Sequence, residues 1–135
     1  LSKNIKTNRN KIVFFAVEFL KEKYEEIYNN IIPFKGYKCI NLFGILFARK
    51  GVRIDDRTIN HESIHTAQQK ELLYIIFYIL YLVEYVIKSI ILFCHAYRDI
   101  SFEQEAYYYE KDMEYLKNRK HYAWIKYLFK TYKRK

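Results

Sequence analysis

The sequence predicts an α+β domain, mainly helical, with a small antiparallel hairpin ahead of its longest helical stretch. Three observations carry this. The only chain breakers, Pro33, Gly36, Gly44 and Gly51, fall between residues 33 and 51, so helix can run on either side of that window. Within it, Tyr37 to Ile40 and Ile45 to Ala48 are rich in β-branched and aromatic residues and punctuated by glycine, the pattern of two short strands joined by a turn. Outside it, apolar residues recur at helical spacing.

Taken in order, residues 12–32 place Phe15, Phe19, Ile27 and Ile31 at multiples of four with glutamates between them, which predicts an amino-terminal helix with one apolar face. The hairpin is expected between Pro33 and Arg53. Asp55, Asp56 and Thr58 are helix-starting residues, so a long helical region should begin near Asp56. Residues 72–94 are long and apolar enough to cross a bilayer, but Glu84 and Lys88 interrupt them; burial in the core and insertion in a membrane explain the segment equally well. Ser101 and Gln104 have the spacing of a capping box, predicting a helix from Phe102 with Phe102, Ala106, Tyr109, Met113 and Leu116 as its apolar stripe. Residues 117–135 read as a final basic amphipathic helix, with Trp124, Tyr127, Leu128 and Thr131 on one side.

The length suits a single domain over residues 1–135. Residues of the apolar and aromatic set make up 51% of the chain, which excludes a disordered or collagen-like protein. Cys39 and Cys94 are the only cysteines and are expected as buried free thiols rather than a disulfide framework. The net charge of +9 is concentrated at one end: residues 117–135 hold eight Lys or Arg and no acid, leaving 16 basic against 15 acidic residues elsewhere. Basic residues interleaved with Tyr122, Trp124, Tyr127, Phe129 and Tyr132 suit an aromatic face packed on the domain, then an anionic membrane surface, with nucleic acid the weakest of the three. The chain starts at Leu1 rather than at a Met, and localisation is left open between intracellular and membrane-associated. Oligomeric state, substrate and pathway are not legible.

Chemistry concentrates in His61-Glu62-Ser63-Ile64-His65. On a helix, residues four apart point the same way, so His61 and His65 can reach one Zn²⁺ at roughly 2.0–2.1 Å. Glu62, turned about 100° from His61, is placed to take a proton from metal-activated water rather than to bind the ion. The expected reaction is zinc-dependent hydrolysis of a peptide or protein amide, with Glu62 as general base and then acid. A third protein ligand is needed, and the downstream candidates are His95, Asp99, Glu103, Glu105, Glu110, Asp112, Glu114 and His121. The segment Glu103 to Ala106 opens a helix and can aim a carboxylate across at the imidazoles. Measured from a stripe centred on Phe102, Glu103 lies about 100° away and Glu105 about 60°, so the residues alone leave both open.

Here the chain resembles the gluzincins, whose His-Glu-x-x-His is followed on a later helix by a Glu commonly set in Glu-x-x-Ala-Asp. It is most similar to their membrane-associated peptidases of the prenyl-protease and heat-shock-protease type, over about residues 40 to 110. The resemblance implies a zincin-like fold and a metal held by His61, His65 and Glu103, because Ala106 follows Glu103 by three; Glu105 is the alternative. The usual Asp is Tyr107 here, so a different partner must orient the ligand histidine. Asn60 and Gln68 flank the motif and could fix a histidine or the backbone, although a solvent-facing position is expected for each. The strand ending near Ala48 resembles the edge strand on which zincins align substrate. Any of the fifteen tyrosines could stabilise an oxyanion. The other reading, against which the intact His61, Glu62 and His65 argue, is a catalytically inactive zincin-like binding or structural module at a membrane surface.

Overall fold

A computed structural model describes residues 26–29, 31–33, 35–92 and 96–131. Helix predominates over strand among them, so the chain is α+β and mainly helical. The strands are β1 (Glu26–Asn29), β2 (Cys39–Leu42) and β3 (Ile45–Arg49). The helices are α1 (Asp56–Glu71), α2 (Ile75–Leu92), α3 (Ala96–Asp99), α4 (Ser101–Tyr109) and α5 (Tyr115–Asn118), followed by a 3₁₀ turn at Ala123–Tyr127.

The expected hairpin is β2–β3, antiparallel, with Cys39 opposite Ala48 and Leu42 opposite Ile45. Its two turn residues, Phe43 and Gly44, both have positive φ, +54° and +82°, the backbone that matches the twist of a tight hairpin. The sheet has a third member, in the order β1-β3-β2, with Ile27 of β1 lying parallel to Phe47 of β3. This corrects the helix expected over 12–32 at its end: residues 26–29 are strand, because the backbone of Glu-Ile-Tyr-Asn pairs with β3 and tertiary pairing overrides a local period of four. Residues 31 and 32 are also not helical, and the rest of that expectation, residues 12–25 and 30, lies outside the described residues.

Asp55 caps α1, its carboxylate accepting from the Thr58 amide at 2.9 Å and the Thr58 hydroxyl at 2.5 Å. The helix stops without Gly or Pro. Leu73 and Tyr74 adopt left-handed φ of +52° and +59°, and the Tyr74 amide donates to the Gln69 carbonyl at 2.7 Å. Such backbone is uncommon for large side chains, and the turn breaks the long helical region into two.

Among the described residues, little of α2 is covered. It is apolar and long enough to cross a membrane, with a mean hydropathy of 2.1, yet 6% of it is buried. Phe77 is its one buried residue among those described and joins Ile100, Phe102 and Trp124 in the core, with Tyr78 and Tyr81 packed against them. Ile79, Leu82, Val83, Val86, Ile90 and Ile91 are exposed.

The capping box at Ser101 does not form. The Ser101 amide and hydroxyl both donate to Glu84 of α2, and Gln104 donates instead to the Asp99 and Lys130 carbonyls. α4 ends at Tyr109, so Met113 and Leu116 do not continue its stripe. Nor is the basic tail one amphipathic helix as far as Thr131. It breaks at Tyr122, whose φ is +57°, and packs Trp124 and Tyr127 inward through the 3₁₀ turn.

Candidate metal centre

α1 is a polar helix in the interior: Asn60, His61, Ser63, His65, Thr66, Gln68 and Gln69 are all buried. Buried polar groups are costly unless bonded, and most of these have identifiable partners. Ser63 donates to the Ile59 carbonyl and Asn41 donates to Thr66. The Gly44 amide at the hairpin turn donates to Gln69. Asn60 and Gln68 do not face solvent; they are 2% and 0% exposed. Asn60 donates to the carbonyls of Tyr109, Glu110 and Asp112, and Gln68 orients a histidine.

His61, His65 and Glu103 converge, with one ligand atom from each lying within 4.8 Å of the others. The two Nε2 atoms are 3.1 Å apart, His61 Nε2 is 3.4 Å from Glu103 Oε2, and His65 Nε2 is 3.3 Å from Glu103 Oε1. Ligand atoms on a tetrahedral ion with bonds of roughly 2.0–2.1 Å sit about 3.3 Å apart, so the spacing fits zinc.

Their hydrogen bonds point the same way. Gln68 Nε2 donates to the Phe102 carbonyl and to Glu105, so its Oε1, 2.8 Å from His65 Nδ1, must accept from that nitrogen. Glu110 Oε2 stands 3.3 Å from His61 Nδ1 and can only accept when ionised. Both histidines therefore carry their Nδ1 proton outward and turn Nε2 toward Glu103. Glu103 Oε2 is buried with no hydrogen-bond donor. Two nitrogen lone pairs and a carboxylate facing one point require a cation, either a proton or a metal. Without metal the proton serves: burial alone would lower the His65 pKa, but the Glu103 carboxylate carries it up to about 9. Burial likewise opposes ionisation of Glu103, and the neighbouring His65 and His61 outweigh it, holding the carboxyl well below its usual range.

Glu105 is not in this cluster. Its carboxylate accepts from Arg119 Nε at 2.6 Å, Tyr115 at 2.8 Å and Gln68 at 3.1 Å. The carboxylate beside His61 Nδ1 is Glu110, itself paired with Arg57, while Tyr107 sets its ring edge-on against His61 at 4.7 Å between centroids. Glu110, in the turn that follows α4, was visible in the sequence only as one carboxylate among several.

Glu62 borders a cleft of about 400 Å³ shared with His65, Glu103, Tyr81 and Tyr97. Burial raises its carboxyl pKa against the opposing charges of His65 and His61, which strengthens it as a base. Cys39, half-buried, places Sγ 3.9 Å from Glu62 Oε1, and burial pushes this thiol up to about 12; Cys94 lies outside the described residues. Tyr81 donates to Glu103 Oε1 at 2.8 Å. The Tyr97 phenol, raised by burial and by the charge of Glu103, stays protonated as a donor. The strand beside the cleft is β2, which contributes Cys39 to Leu42. The strand ending near Ala48 is central in the described sheet and offers no edge. Comparison with protein-family models, with curated proteins and with solved structures finds no match.

Proposed function

We propose that the chain is a zinc-dependent peptidase of the gluzincin, zincin-like type, with His61, His65 and Glu103 as metal ligands. The observation that supports this most is the convergence of two outward-protonated histidines and a donor-less carboxylate oxygen next to Glu62. Zn²⁺ held there would supply Lewis acidity, lowering the pKa of a water toward about 7 and polarising a carbonyl. Glu62 takes the proton of the attacking water and returns it to the leaving amine. Tyr97, beside Glu103 in the cleft, donates its hydroxyl hydrogen to the carbonyl oxygen as that atom gains charge. β2 offers main-chain groups to an extended peptide, and the apolar wall of Ile40, Leu42, Phe77 and Tyr78 takes its side chains. The test is metal analysis of purified wild type and His61→Ala, followed by cleavage of a mixed peptide library by zinc-loaded wild type. One zinc per chain, lost in the variant, with chelator-sensitive cleavage is the expected result. Zinc without cleavage would favour the inactive zincin-like module.

The exposed apolar surface of α2 favours a membrane location. Lys117, Lys120, Lys126 and Lys130, exposed in the basic tail, suit the anionic headgroups beside it. Nucleic acid has no comparable support.

A further inference from the structure

The two charges that interrupt α2 do not face outward. Glu84 and Lys88 side chains are 13% and 12% exposed and pair at 2.6 Å. Glu84 Oε1 accepts from the Ser101 amide at 2.8 Å and Oε2 from the Ser101 hydroxyl at 2.6 Å. Lys88 donates to the Asp99 carbonyl. α4 has no cap of its own, since Ile100 stands at that position without a polar side chain. Its first turn is therefore closed by a carboxylate from another helix, which is where negative charge is favoured.

Glu103 lies in that same first turn, two residues after Ser101. Tyr81, one helical turn before Glu84 on the same face of α2, donates to the Glu103 carboxylate itself. α2 thus grips α4 twice, once at its leading amide and once at the ligand. Charge in an apolar helix is expensive, and here Glu84 faces the helix that carries Glu103 while Lys88 faces the end of α3 just before it.

We propose that Glu84, neutralised by Lys88, is a positioning residue for the third metal ligand, coupling the apolar helix to the metal centre. This rests on the metal reading above. Displacing α2 moves the first turn of α4 and withdraws Glu103 from His61 and His65, so metal affinity depends on how α2 is seated.

The test measures Zn²⁺ affinity by dye competition, and the visible spectrum of the Co²⁺-substituted protein, on the full chain in detergent micelles. Glu84→Ala is expected to weaken binding about 10- to 100-fold, the usual effect of losing a residue that orients a ligand, and to change the Co²⁺ spectrum as Glu103→Ala does. Glu84→Gln, which keeps an acceptor oxygen for the Ser101 amide, should retain most of the affinity. Leu46→Ala, a core truncation in the sheet, should lower the melting temperature without weakening binding. Wild-type affinity in Glu84→Ala, or equal weakening in Leu46→Ala, overturns the proposal. If Glu84→Ala does not fold, Ser101→Ala carries the test: several-fold weaker binding is expected, and unchanged binding overturns it. A wild type that binds no zinc defeats the metal reading together with this inference. Zinc binding abolished by His65→Ala but indifferent to Glu84 defeats the inference alone.

Discussion

His65 Nδ1 lies 2.8 Å from Oε1 of Gln68, and that contact decides which nitrogen of the histidine faces Glu103. The amide of Gln68 is held in turn by the Phe102 carbonyl and Glu105, so it cannot flip without losing both bonds. Gln68→Met, similar in shape but with no comparable acceptor, should reduce zinc affinity about 10- to 100-fold while leaving one binding site. Isothermal titration would show this; unchanged affinity would mean that the imidazole is oriented by other contacts.

Glu103 and Glu105 should separate cleanly. Glu103→Ala removes the proposed ligand and should abolish the melting-temperature rise expected of wild type with zinc. Glu105→Ala leaves the buried Arg119 with Glu71 as its remaining ionic partner. It should destabilise the fold by about 3–5 kcal/mol, as breaking a buried pair does, yet still respond to zinc. The opposite pattern in thermal melts would move the third ligand to Glu105.

Glu62→Gln preserves shape and removes the proton acceptor. Turnover should fall about 10²- to 10⁴-fold with zinc content unchanged, measured as kcat on a peptide found in the library. A variant as fast as wild type would remove Glu62 from the chemistry.

The metal-free cluster sets a pH window. His65 rises from its ordinary 6.5 to about 9, so its stabilising contribution is complete below 6.5 and is lost as pH climbs through 9. Glu103 is lowered from 4.5, so its contribution is present above 4.5 and disappears as pH falls toward its folded value. Chelator-treated protein should therefore lose melting temperature on both sides of this window. Zinc must displace the His65 proton, so apparent affinity should rise about tenfold per unit as pH approaches 9. Affinity that is flat from neutral pH to 9 would show that His65 is already neutral.

The proposed membrane association should depend on the outward side of α2. Ile79 and Val86 are 57% and 47% exposed, and an arginine at either position costs roughly 2.5–3.5 kcal/mol at the centre of a spanning helix. Ile79→Arg should move the protein out of the floating liposome fraction in a sucrose gradient while zinc binding in detergent is retained. Equal flotation of wild type and variant would point to a different attachment.

The sequence displayed some of this site openly and hid the remainder for identifiable reasons. His61, Glu62 and His65 are legible because a helix converts a spacing of four into a shared direction, and Asp55 is legible as a cap because its partner is three residues away. Glu103 could be separated from Glu105 only by resemblance, since what excludes Glu105 is Arg119, fourteen residues on. Gln68 and Asn60 look like surface residues in a polar helix, and only the packing of α4 against α1 makes them interior. The break at Leu73 and Tyr74 has no glycine to announce it. Ser101 and Gln104 have capping-box spacing, but Glu84 supplies the bond that the box would have made.

α4 is held at its first amide by Glu84 and just beyond its last turn by Asn60, whose amide nitrogen lies 3.0–3.1 Å from the carbonyls of Tyr109, Glu110 and Asp112. Fastened at both ends, the helix has a single register. Sliding by one residue means 1.5 Å along its axis and 100° about it, which would offer Phe102 or Gln104 to the histidines. One inserted residue between Ser101 and Glu103 would thus erase the third ligand without changing any side chain that forms it, whereas the same insertion after Asp112 would be absorbed by the turn. The proposed third ligand is specified by its count from the clamp as much as by the glutamate itself.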